Sequence, residues 1–127
     1  MNWPIFIAGV GAVFITLGHF TAGSKLYLQP MLQASFDDLP KKVIHCVFHY
    51  VSAYLVLSAI CLLLIGIGYN AQAENSWLVK FISLNYGFFA VVQIVIAATS
   101  GIRNAIFKMF QWLLFVFVAV FAWVGIV

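Results

Sequence analysis

The sequence predicts an all-α polytopic membrane protein: four transmembrane helices in an antiparallel bundle, one domain covering residues 1–127. Two observations carry that expectation. First, 65% of the 127 residues are hydrophobic and only 7% are charged, whereas about a quarter of the residues of a soluble domain are charged. The mean hydropathy of +1.12 agrees. Second, four stretches reach the roughly 20 apolar residues that a bilayer crossing needs: about 3–21, 43–69, 77–99 and 106–127. They are joined by "TAGSK", "NAQAENS" and "TSGIRN", which carry turn and loop chemistry. No linker is long enough to divide the chain into domains.

The first span begins at Trp3 with no Lys or Arg ahead of it. The charged segment of a signal peptide is missing, so the span reads as a retained helix. In the loop that follows, Leu28, Met31, Leu32, Phe36 and Leu39 fall near helical spacing, with Pro30 suited to a first turn. That pattern suggests a short amphipathic helix lying on the membrane surface, with an ordinary polar loop as the competing expectation. Asp37 and Asp38 precede the second span, where carboxylates suit the positive end of a helix dipole.

Cys46 and Cys61 both belong to that second span. Fifteen residues of helix hold them about 22 Å apart, too far for a disulfide, so both read as small buried hydrophobes.

Charge sets the expected orientation. Lys25, Lys41 and Lys42 lie in the first loop and Arg103 and Lys108 in the third, against Lys80 alone on the other side. The positive-inside rule then puts loops one and three in the cytoplasm and both termini in the periplasm. Trp3, Trp77 and Tyr69 fall at the outer interface, where aromatic belts sit. The net charge of +3 is thinly spread, so nucleic acid is excluded as a partner.

Topology gathers the internal polar residues into one leaflet. His19, His45, His49, Gln93 and Gln111 all fall in the cytoplasmic half, with Asn85 the main exception. Each span also has one stripe of small and polar residues: Ala8, Ala12, Thr16 and His19; His45, His49 and Ser52; Tyr86, Ala90, Gln93 and Ala97; Gln111, Phe115, Ala119 and Ala122. Such stripes let helices approach and hydrogen-bond across the contact. A short internal similarity, "TAGSK…FHY" against "TSGIR…FQW", would make His49 and Gln111 counterparts in a parallel repeat.

Three functions compete for this cluster. The favoured expectation is a non-catalytic accessory or interaction subunit, with a membrane-protein partner or a second copy of the chain docking in the bilayer. The alternative is a redox protein in which His19 and His49, with His45 as a weaker third ligand, hold haem b or a metal ion. Against it, no carboxylate lies at that depth. The second alternative is a site for a small molecule or lipid headgroup, built from Thr16, His19, Ser52, Gln93 and Gln111 with Arg103 and Lys41 or Lys42 at its mouth. Ser52 lies one turn from His49, but no acid is placed to orient the imidazole, so nucleophilic catalysis is not expected.

His19, the "LQPML" loop, "FHYVS" from Phe48 to Ser52 and "QWLLF" from Gln111 to Phe115 resemble the pattern of a group of small bacterial four-helix membrane proteins. In that group a Trp often stands at the position of Phe48. The resemblance spans most of the chain, and it implies a bacterial inner-membrane setting and no particular activity.

Overall fold

The computed structural model describes residues 1–69 and 75–127. Residues 70–74, most of the expected second loop, lie outside the described residues. Every regular element among the described residues is a helix, with no strand. Three helices are long and apolar enough to cross a membrane: Trp3–Gln33, Asp38–Gly66 and Ser76–Thr99.

Helix α1 (Trp3–Gly18) starts behind Asn2, whose side-chain oxygen accepts the Ile5 N–H at 3.2 Å. Pro4 sits in the first turn, where a missing N–H leaves no bond unmade. The helix does not end at Thr21 as the sequence suggested. Its hydrogen bonding widens to an i→i+5 pattern over His19–Leu28 and returns to α-helix in α2 (Gln29–Gln33). The result is one continuous helix of 31 residues.

"TAGSK" is therefore helix interior, and the surface helix expected from Leu28 onward is the last turns of the first helix. A physical reason lies at Pro30. A proline ring inside an α-helix collides with the carbonyl four residues earlier. Here the wide turns, closed by the Gln29 N–H on the Ser24 carbonyl, come just before it and displace that carbonyl.

Helix α3 (Asp38–Gly66) opens on Asp38, which carries an ion pair to Lys41 at 3.9 Å. It stops at Gly68, whose φ of +91° requires glycine. Helix α4 (Asn75–Thr99) matches the third expected span closely. The fourth is split. A short α5 (Ala105–Lys108) ends at Met109, and α6 begins at Gln111 and runs to Val124. At 14 residues, α6 is about 21 Å long, short of the ~30 Å hydrocarbon core. Two side chains compensate the backbone at this break: Trp112 Nε1 donates to the Ile106 carbonyl at 3.1 Å, and Gln93 Nε2 donates to the Met109 carbonyl at 3.2 Å.

The helices are ordered α3–α1–α6–α4 around the bundle, each antiparallel to its neighbour, and α3 meets α4 mainly through long side chains. The α1–α3 seam is close because Gly9 and Gly66 lie in it. A Cβ on Gly66 would stand 2.6 Å from the Phe6 Cα, and one on Gly9 would stand 2.9 Å from the Leu63 nitrogen. Ala8, Ala12, Ala59 and Ala122 complete this small-residue core, the close backbone approach that packing between apolar membrane helices exploits. Tyr86 fills the wider space on the other side, fully buried, with its hydroxyl 2.9 Å from Ser58 Oγ. Ser83 donates to the Ala119 carbonyl at 2.7 Å, linking α4 to α6.

Cys46 is exposed and Cys61 only half-buried, in contrast to the buried positions expected of them; both are free thiols.

Asn2 ties three helix ends together. Its N–H donates to the Gly66 carbonyl at 2.8 Å and its Nδ2 to the Gly125 carbonyl at 2.7 Å, while its Oδ1 caps α1. Asn2→Ala removes the cap and the bond to α6 together. We expect a loss of about 1–2 kcal/mol, read as a lower unfolding midpoint in detergent.

Candidate functional site

The polar end of the bundle surrounds a cavity of about 580 Å³, bounded by the first helix, α3, α4 and the α5–α6 break. This lies within the ~300–1,000 Å³ of small-molecule sites. Most of its wall is hydrocarbon and aromatic, including Phe14, Leu55, Phe110 and Phe115. The polar side chains in it are His19, Tyr27, Gln93 and Gln111, and among the described residues no Lys, Arg, Asp or Glu lines it.

His19 enters from the junction where α1 widens. Its ring stacks on Phe48 of α3, with centroids 4.0 Å apart and planes 18° from parallel. Its Nε2 lies 2.9 Å from Ser52 Oγ and 3.3 Å from the Phe48 carbonyl. The tautomer follows from the hydroxyl. With the Ser52 hydroxyl donating to the Phe48 carbonyl at 3.0 Å, both neighbours of Nε2 act as acceptors, an arrangement that favours the tautomer with its hydrogen on Nε2. In that tautomer the Nδ1 lone pair of neutral His19 has no donor among the described residues. A Cβ on Gly23, another wall residue, would stand 3.8 Å from that nitrogen.

The opposite wall is a directed chain of amides. Gln93 Nε2 donates to Gln111 Oε1 at 2.7 Å, and Gln111 Nε2 donates to the Tyr27 hydroxyl oxygen at 3.0 Å. Neither end of the chain has a further partner among the described residues. The Tyr27 proton has no acceptor among the described residues, and Gln93 Oε1 is buried without a partner. An unpartnered buried acceptor costs about 1–3 kcal/mol.

Of the residues singled out from the sequence, His19, Gln93 and Gln111 line the cavity, and Ser52 stands behind His19. His49 does not join them. It is exposed on α3, its Nε2 3.2 Å from Nε2 of half-buried His45. The buried face of α3 runs through Ser52, Leu55, Ala59 and Leu62; continued backward it meets Phe48, one residue short of His49. His19 and His49 thus engage different hydrogen-bond partners.

Thr16 donates to the Ala12 carbonyl of its own helix at 2.7 Å and stays out of the wall. Arg103 is exposed beside wall residue Ile102. Among the described residues, no three His, Cys, Asp or Glu side chains group as metal ligands would.

Tyr27 and Phe48 escaped sequence reading. Tyr27 lay in a presumed loop, and only continuing the helix through "TAGSK" would have set it two turns from His19. Phe48 stands out in the sequence only as part of "FHYVS", with nothing that marks its ring as a partner for His19. No protein-family model, curated protein or solved structure matches the chain.

Proposed function

We propose that this is a non-catalytic four-span protein of the bacterial inner membrane that holds a small lipophilic molecule in the cavity between its helices. The observation that carries the proposal is the cavity itself: about 580 Å³, apolar over most of its wall, with four polar side chains at one end of the bundle. Ligand sites have this composition, a hydrophobic enclosure with a few groups that fix orientation. Three helices are long and apolar enough to supply three crossings, and the split segment Ala105–Val124 would supply the fourth. The distribution of basic residues favours a cytoplasmic location for the cavity end and a periplasmic one for both termini.

Ligand binding is favoured over haem because His19 is already engaged by Ser52 and Phe48. It is favoured over an anionic headgroup because the basic residues expected at the mouth do not line the wall.

Organic extraction of the protein purified from its native membrane should release one lipophilic compound per chain, identified by mass spectrometry. Gly23→Leu supplies the control. A Cβ there meets only ordinary contacts, the nearest at 3.6 Å, while the longer side chain grows into the cavity. Overfilling a site costs about 1–3 kcal/mol, so occupancy should fall about tenfold or more while helicity and elution volume hold. An undiminished ligand load in Gly23→Leu would overturn the proposal.

A further inference from the structure

Two imidazoles outside the cavity converge on each other. His45 and His49 stand one turn apart on α3, with their Nε2 atoms 3.2 Å apart and their ring planes inclined at 45°. His49 is exposed and His45 half-buried, so the pair lies off the face that α3 packs through Ser52, Leu55, Ala59 and Leu62. Two nitrogens bound at 2.0–2.1 Å to one tetrahedral ion stand about 3.3 Å apart. The two side chains therefore already hold close to the separation that chelation needs, at the i, i+4 spacing by which one helix face presents two histidines to a metal. Without an ion, the same closeness lets one Nε2–H donate to the other Nε2. Chelation requires that hydrogen on Nδ1 instead, which frees both Nε2 lone pairs.

We infer that His45 and His49 chelate a divalent transition-metal ion of the zinc, nickel and copper class, with water in its remaining positions. Imidazole suits that class, whereas magnesium and calcium take oxygen ligands. Among the described residues no third His, Cys, Asp or Glu joins the pair, so the ion keeps open positions. Depth in the bilayer allows this. Counted back from Gly66, where α3 ends, a ~30 Å hydrocarbon core takes about 20 residues and reaches Cys46. His45 then falls at the headgroup layer, and the Cα–Cβ bond of His49 tilts toward the N-terminus of α3, the same wet side. Lys42, exposed one turn earlier, repels the ion only through screened solvent. Cys46 is an exposed free thiol, set about 100° round the helix from His45.

Isothermal titration of the full chain in a neutral detergent, with any purification tag removed, tests the pair against Zn²⁺, Ni²⁺ and Mg²⁺. Zn²⁺ and Ni²⁺ should each bind one ion per chain, and Mg²⁺ should give no saturable heat. His45→Ala and His49→Ala should each weaken binding about tenfold or more. Neither side chain belongs to the buried face of α3, so helicity and elution volume should hold in both variants. Cys46→Ser should leave the affinity unchanged. With Cu²⁺ as the probe, electron paramagnetic resonance should show coupling to two imidazole nitrogens per ion.

Absence of saturable Zn²⁺ and Ni²⁺ binding, or undiminished binding in either histidine variant, would overturn the inference. Loss of binding in Cys46→Ser would move the ligand set to the thiol and overturn the pair. Coupling to four nitrogens per copper would overturn the single-chain site in favour of an ion shared between two copies. None of these outcomes bears on the cavity, whose wall does not include His45 or His49.

Discussion

Gly66→Ala is expected to cost the protein about 3 kcal/mol of stability, the upper part of the range for overpacking. The new methyl would meet the Phe6 Cα at 2.6 Å and the Phe6 nitrogen at 2.7 Å. Both are backbone atoms that cannot rotate away, so α1 and α3 must separate. The same movement pulls on Asn2, whose N–H is bonded to the Gly66 carbonyl, and on the α6 end that Asn2 holds. Gly87→Ala is the matched control, since nothing lies within 4 Å of a Cβ there. In the interior of α4 that change should be neutral or stabilising by up to about 1 kcal/mol. Unfolding midpoints of the two variants in mixed micelles check the contrast, and similar midpoints would count against a glycine-dependent α1–α3 seam.

Tyr86→Ala should destabilise by a comparable 3 kcal/mol or more, for the opposite reason. Helices α3 and α4 stand apart, and the Tyr86 ring occupies the space between them, 6.0 Å from Tyr54 and 6.1 Å from both Phe89 and Phe115. Deleting a fully buried aromatic leaves a void that a packed bundle closes only partly, at about 3–5 kcal/mol in soluble cores. Tyr86→Phe separates packing from polarity. It removes only the contact with Ser58 Oγ, and interhelical hydrogen bonds in membranes average about 0.6 kcal/mol. A Phe variant as unstable as the Ala variant would show that the hydroxyl, rather than the ring, holds α3 to α4.

Parts of the site were legible because two kinds of signal survive in a linear chain. Polar residues inside apolar runs are conspicuous, and that picked out His19, Gln93 and Gln111. Helical periodicity picked out the buried faces of α1 and α4: Ala8, Ala12, Tyr86, Ala90 and Ala97 are all nearly inaccessible. The same periodicity failed on α3, where His45, His49 and Ser52 fit a stripe on paper. A turn of 100° per residue separates Phe48 from His49, and which of the two faces inward depends on how α1 packs. His19 settles the matter locally, because its ring stacks on Phe48 and its Nε2 reaches Ser52.

Composition and hydropathy by themselves determined that the chain is helical and apolar enough for a membrane, because those properties sum over residues and need no knowledge of contacts. They also located α4 to within two residues, and α3 with its start five residues late. The structure, and not the sequence pattern, decided where the first helix ends and where the fourth segment breaks. "TAGSK" carries turn residues, yet widened hydrogen bonding carries the helix through it to Gln33. "FKMFQW" carries no breaker, yet the helix is interrupted there, with Gln93 and Trp112 bonding the carbonyls at the break. Each outcome turns on hydrogen-bond partners, some of them distant in the chain, which local propensity cannot register. The cavity exists because both happened at one end of the bundle, bringing Tyr27 and Gln111 within 3.0 Å across 84 positions of sequence.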